Sequence, residues 1–327
     1  MQKLKVRYGL TGDAEPRYRK WIGHVIRRTV EHVDKAGRKR FYRPVDGPGR
    51  RDAFLLIKEL AYQVDRDIGT TDFPPLWQRQ LRLNAQGRMV GHWDGIGQNL
   101  LGLVIGSAIA DGVRPARVQM EPMKKLTYYL LNLPAPAYPL EIDQSLAPRG
   151  RQIFEARCGQ CHDPKGARFN TVVPIEEIQT DPARLHAARR RLLLTLNLFD
   201  RLQRYPRPQW QKTNGYRAEA LDGLWARAPY LHNGSVPTIF DLLSRAAERP
   251  NFYFRGSNVL DPAKLGFETQ GNADGPLFSF DTSQPGNRNG GHEYGTDLSE
   301  EEKRALIEFL KTLWDQSCAA AIQTFVA

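Results

Sequence analysis

Cysteine and methionine are scarce in this 327-residue chain, with three of the first and four of the second. Two of the cysteines, Cys158 and Cys161, stand close together, and Cys318 is alone near the C-terminus. No disulfide framework can be built from that set. The methionines are Met1, Met89, Met120 and Met123, so nothing after residue 123 can offer a thioether. No run of about 18 apolar residues occurs, and no membrane-spanning helix is expected. The opening Met1-Gln2-Lys3-Leu4-Lys5 has no apolar signal core. Acidic residues are outnumbered, 36 against 47 Lys and Arg, for a net charge of +11. The basic residues are spread along the chain rather than clustered. This argues against nucleic acid and for a solvated basic surface that attracts an acidic partner or substrate.

What the chain does have is Cys158-Gly159-Gln160-Cys161-His162. Two thiols separated by two residues, followed directly by a histidine, form the spacing of a c-type haem attachment site. The thiols add across the haem vinyl groups and the adjacent imidazole becomes the proximal iron ligand. A disulfide oxidoreductase wants a strand before the pair and a helix after it. Here a helical pattern precedes, and the loop Asp163-Pro164-Lys165-Gly166 follows. Zinc needs four ligands, and there is no second cysteine pair. One covalent haem c in this chain is the expectation. Covalent haem attachment takes place outside the bacterial inner membrane. A periplasmic location is therefore expected, with Met1 an internal start and the export signal upstream of it.

The surrounding chain is expected to be mainly α, with long loops that wrap the haem. Residues 17–33 carry Trp21, Ile22, Val25 and Ile26 at helical spacing. A short helix follows Asp52, an N-cap, to about Gln63. Residues 98–110 read as a buried helix with Gly102 and Gly106 at close approaches. Glu121-Pro122 opens a further helix that looks like core and ends before Pro134. The proline-rich stretch 134–148 is the expected linker. It separates an N-terminal region, 1–133, from a haem-binding domain, 149–317, with a tail at 318–327. Within that domain a helix over about 149–158 puts Gly150, Ile153 and Phe154 on one face. A long helix runs from Pro182 to about Gln203. Residues 205–297 show little periodicity and are expected to wrap the haem, using it as their core. Ser299 and Glu302 form a capping box for a terminal helix whose stripe includes Leu306, Leu310 and Trp314. Phe154 is expected against Leu310 or Trp314.

An iron held by His162 has one further axial position. Methionine is absent from the second domain. The downstream histidines are His186, expected exposed on the long helix, His232 in Tyr230-Leu231-His232-Asn233-Gly234, and His292 in Gly290-Gly291-His292-Glu293. Flanking glycines favour His292 over His232, because they let the backbone approach a flat cofactor.

Several blocks in order complete the pattern: Asp72-Phe73-Pro74-Pro75-Leu76-Trp77, His92-Trp93-Asp94-Gly95, the pentad, Asn214-Gly215-Tyr216, the run from Ala228 to Thr238, and Gly291 to Thr296. The chain resembles the di-haem c-type cytochromes of the bacterial cytochrome c peroxidase superfamily, related to the latex-cleaving di-haem oxygenases. The resemblance spans about residues 48–315. It implies two cytochrome c domains, with Trp93 between two haems. It also implies His292 in the sixth-ligand segment, giving a bis-histidine iron, and His232 in a structural loop beside the haem. The family's N-terminal haem pentad has no counterpart before residue 158, which makes residues 1–133 a remnant domain or places a first haem upstream. The peroxidase glutamate is also missing, since residues 96–120 contain no Glu. The resulting expectation is an electron-transfer cytochrome. The alternative is a haem peroxidase or oxygenase whose reactive haem lies upstream. The expected partner is a redox protein or a small electron donor or acceptor.

Overall fold

The computed structural model describes residues 46–314, apart from 56–57, 59–66, 78, 85–86, 111–112, 202–204 and 271–276. The helix expected over 17–33, the tail with Cys318 and most of the helix expected after Asp52 lie outside the described residues. The start of the last is seen, where Asp52 Oδ1 accepts from the Phe54 amide at 2.9 Å.

In chain order the helices are α1 (Leu100–Ala110), α2 (Met120–Asn132), α3 (Ala147–Arg157), α4 (Gly159–His162), α5 (Ile175–Ile178), α6 (Ala183–Ala187), α7 (Arg190–Arg201), α8 (Ile239–Leu242) and α9 (Glu300–Lys311). The strands are β1 (Arg50–Arg51), β2 (Thr71–Asp72), β3 (Val172–Pro174), β4 (Gly215–Arg217), β5 (Phe252–Arg255), β6 (Leu260–Asp261), β7 (Gly266–Phe267) and β8 (Phe278–Asp281). They form four antiparallel pairs, β1–β2, β3–β4, β5–β8 and β6–β7. The described fold is therefore mixed rather than mainly α. Between residues 205 and 297, glycine, proline, asparagine and aspartate stop helices within a turn or two. Backbone groups pair instead in short ladders and turns.

The main core forms where α3 crosses α9. A Cβ on Gly150 would lie 1.9 Å from the Ala305 carbonyl oxygen, so only glycine permits this crossing. Phe154 is 4% exposed, and its ring centre lies 5.2 Å from that of Phe309. Leu310 shares the same core, whereas Trp314 is exposed. The expected contact is met by Phe309 and Leu310, one turn short of Trp314. Ser299 caps α9 with a complete capping box.

Three expectations change. Residues 205–297 are not coreless: Leu224, Tyr230, Val236, Ile239, Leu243 and Leu265 are all buried in the main core. Their spacing follows turns, so no single period reveals them. The long helix breaks at Ala188 (φ −80°, ψ 61°) into α6 and α7, which lets Leu185, Ala187 and Ala188 all be buried. Helix α2 has no buried residue and exposes Leu126, Tyr128 and Tyr129, so it is not core.

The proline-rich stretch is packed. Ala135 and Tyr138 are buried, and the Trp225 indole donates to the Pro136 carbonyl at 2.9 Å. Buried ion pairs join residues before this stretch to residues after it. Arg184 Nε lies 3.0 Å from Asp94 Oδ2, and Arg255 Nη2 lies 2.6 Å from Asp72 Oδ1.

Candidate functional site

Cys158 caps α4, and the amides of Cys161 and His162 both donate to its carbonyl, at 3.1 and 2.9 Å. One helical turn thus sets positions i, i+3 and i+4 on a common face. All three side chains line a cavity of about 250 Å³, walled by Val173, Ile178, Leu224, Leu243 and Leu306 among other apolar groups. Both thiols are free. Burial pushes the Cys158 thiol up to about 11 and raises that of Cys161, the reverse of an activated redox cysteine.

His162 Nδ1 lies 2.6 Å from the Glu219 carbonyl oxygen, which leaves Nε2 as its available nitrogen. Burial lowers the basicity of this imidazole, keeping it neutral as a metal ligand must be. His292 lines the same cavity, with its ring centre 6.1 Å from that of His162. Two imidazoles on opposite sides of one metal, each nitrogen about 2.0 Å from it, would have ring centres about 6 Å apart. His292 Nδ1 is buried without a partner, and burial brings its pKa down to about 3. A porphyrin iron needs only two protein ligands. The thiol pair, the imidazole pair and the apolar walls fit a covalently held haem.

The loop carrying His292 is held from behind. The His292 amide donates to the Ile178 carbonyl at 2.8 Å. Gly291 (φ +74°) lies so close to Gln179 and Thr180 that a Cβ would meet backbone at 2.3 Å. The glycine serves this loop contact, while Gly290 has open space around it. Arg249, buried and unnoticed in the sequence, donates from Nη1 to the carbonyls of Asn289 and Gly291, at 2.6 and 2.8 Å.

His232 also lines the cavity, but its ring stacks on Tyr216 at 3.9 Å. Its carbonyl accepts from the Asp72 amide at 2.9 Å. Trp93 lines the cavity too; its indole donates to the Asp72 carbonyl at 2.7 Å, and its own carbonyl accepts from the Arg217 amide. His186 is exposed on α6. His92 turns away from the cavity to Phe54 and Trp210.

A charged cluster adjoins the motif. Glu219, 5% exposed, pairs with Arg217, with Arg227 at 2.5 Å and with Arg82 at 3.4 Å. Burial alone would raise the Glu219 carboxyl. The guanidiniums of Arg217, Arg82, Arg227 and Arg79 outweigh it and hold the group at about 2. Arg217 ends β4 and Glu219 follows two residues later, an alternate spacing that was the only sequence hint of this cluster.

Residues 215–254 match a family model described as RoxA-like, cytochrome c-like. That match, which includes Tyr216, Glu219 and His232, supports a RoxA-like c-type cytochrome domain and haem c as its class of cofactor. Two curated relatives, uncharacterized proteins y4iJ and y4iM of Sinorhizobium fredii, are 35% and 28% identical to the chain. The alignments cover 53% and 74% of this chain. The chain spans 39% and 64% of the lengths of these relatives. No helix among the described residues is long and apolar enough to cross a membrane.

Proposed function

We propose that the chain is a periplasmic electron-transfer cytochrome of the di-haem, peroxidase-like kind, carrying one covalent haem c. In this reading Cys158 and Cys161 would form the thioether links, and His162 and His292 would hold the iron. The observation that carries it is the pair of imidazoles 6.1 Å apart in an apolar cavity beside the two thiols. Bound haem supplies a one-electron couple between ferric and ferrous iron.

The chain's own residues do the rest. The Glu219 carbonyl orients His162 by engaging Nδ1, which leaves Nε2 for the iron. The Arg249 fork and the Ile178 carbonyl hold the His292 loop in place. The aliphatic walls exclude water, and two nitrogen ligands favour a lower potential than a histidine–methionine pair. The positive surface favours an acidic redox protein, whose association should weaken as salt rises.

The test is a visible spectrum of the matured protein and of two variants. We expect a low-spin, six-coordinate haem that binds carbon monoxide poorly. His292→Ala should become high-spin and bind carbon monoxide, while His232→Ala stays low-spin. The reverse pattern would exchange the two roles.

An enzyme whose reactive haem lies on a separate, upstream domain is the second reading. Trp93 on the cavity wall favours it, as an aromatic bridge from this haem to another. Peroxide turnover by the longer protein, lost in Trp93→Ala with the spectrum of this haem unchanged, would select it.

A further inference from the structure

The cavity is lined by four arginines, Arg157, Arg168, Arg217 and Arg227. The outer two have carboxylates of their own. Arg157 Nη2 lies 2.7 Å from Asp297, and Arg168 makes a two-pronged pair with Glu177. The inner two do not. Arg217 and Arg227 share Glu219, which Arg82 also contacts and which Arg79 faces. One buried carboxylate thus serves four guanidiniums.

The shortage shows atom by atom. The Nε groups of Arg217 and Arg227 and Nη1 of Arg82 are buried and have no hydrogen-bond partner. Arginine cannot shed its charge at ordinary pH, and a buried cation without a counter-anion is strongly disfavoured. Such a fork is built for a planar oxyanion, carboxylate above all. Arg217 and Arg227 both line the cavity, the space from which an anion could approach their guanidiniums.

We propose that Arg217 and Arg227 seat the propionate carboxylates of the haem, with Glu219 as the brace that orients both forks and Arg82 as a positioning residue behind it. The assignment rests on the haem reading above. It gives the cofactor polarity within the cavity: vinyl groups at the Cys158–Cys161 turn, carboxylates at the Arg217–Arg227 pair. Two added negative charges turn a cluster of four cations and one anion into one of four and three. It also places two cations beside the redox centre, where they favour the reduced iron.

The experiment uses the full matured chain with Arg227→Gln and Arg227→Lys. Three quantities are read: haem bound per chain, the propionate bending bands in resonance Raman spectra, and the midpoint potential. We expect both variants to keep close to the unsubstituted haem content and both to shift the propionate bands. The potential should fall in Arg227→Gln and stay near its original value in Arg227→Lys, which retains the charge. Haem present with unchanged bands in both variants overturns the assignment alone. A phosphate-dependent potential in the unsubstituted protein, with propionate bands that ignore the substitutions, assigns the seat to an external oxyanion and also overturns it. An unsubstituted chain with no covalent haem overturns the cofactor reading, and this assignment with it. If neither variant folds, the same bands and potential are read in Arg82→Gln. There a smaller shift of the same sign supports the seat, and no shift overturns it.

Discussion

Phe154 shows how much a single contact between two helices can carry. Its ring is buried against Phe309 because Gly150, one turn earlier, lets α3 lie directly on the α9 backbone. Truncation leaves a hole that two tightly crossed helices cannot close. Phe154→Ala should cost about 3–5 kcal/mol in denaturant unfolding, and a loss under about 1 kcal/mol would mean that the crossing relaxes. His92 offers a different test. Burial lowers its pKa to about 4 from an ordinary value of 6.5, and its Nε2 has no partner. The unfolded chain therefore binds a proton between those values that the folded chain does not. Its contribution is fully present above pH 6.5 and is lost as the pH falls towards 4, by at most about 3 kcal/mol. His92→Asn suits the left-handed backbone at this position (φ 62°) and cannot titrate. Stability measured across that window should fall less steeply with acid in the variant, and an unchanged slope would exclude His92 as its source.

At the scale of elements, the decisive piece is the loop before α9. The helix that follows fixes where it ends, through the capping box. Its approach to the cavity is set by Arg249, which donates to the Asn289 and Gly291 carbonyls in the loop and, from Nε, to the Ser244 carbonyl at 3.1 Å on the far side. Arg249→Ala should leave α9 and the main core intact but free the His292 segment. The expected readout is a mixed-spin haem that binds carbon monoxide, with far-ultraviolet circular dichroism unchanged. A purely low-spin spectrum in that variant would show that the Ile178 and Gln179 contacts suffice.

For the whole molecule, the question is what remains when the cofactor is withheld. The chain's own apolar residues already form the α3–α9 core, including six from the region between 205 and 297. On one side the cavity shares Leu224, Leu243 and Leu306 with that core, whereas walls such as Val173 and Ile178 lie outside it. Cys158→Ala with Cys161→Ala should abolish covalent haem and loosen residues 172–180, 215–221 and 290–295. Amide exchange in α3 and α9 should stay slow. Uniform protection along the chain would mean that the cavity is preformed without the cofactor, and uniform loss that the core depends on it.

Much of the centre is encoded locally. Cys158, Cys161 and His162 lie within one helical turn, so spacing alone sets their common face. The Ser299–Glu302 cap, the Gly150 face and the end of α2 before Pro134 are likewise short-range features, decided by neighbouring residues and by what proline and glycine permit. The sequence favoured His292 over His232, but only the tertiary structure set their rings: one 6.1 Å from His162, the other stacked on Tyr216. The cluster of Arg82, Arg217 and Arg227 on Glu219 draws on residues up to 145 positions apart, and the brace on the His292 loop comes from an arginine 43 positions earlier. No periodicity reaches across such gaps. Which arginine among so many would be buried, and against which carboxylate, was settled by packing, since only the folded chain determines where water is excluded and a charge must find its partner.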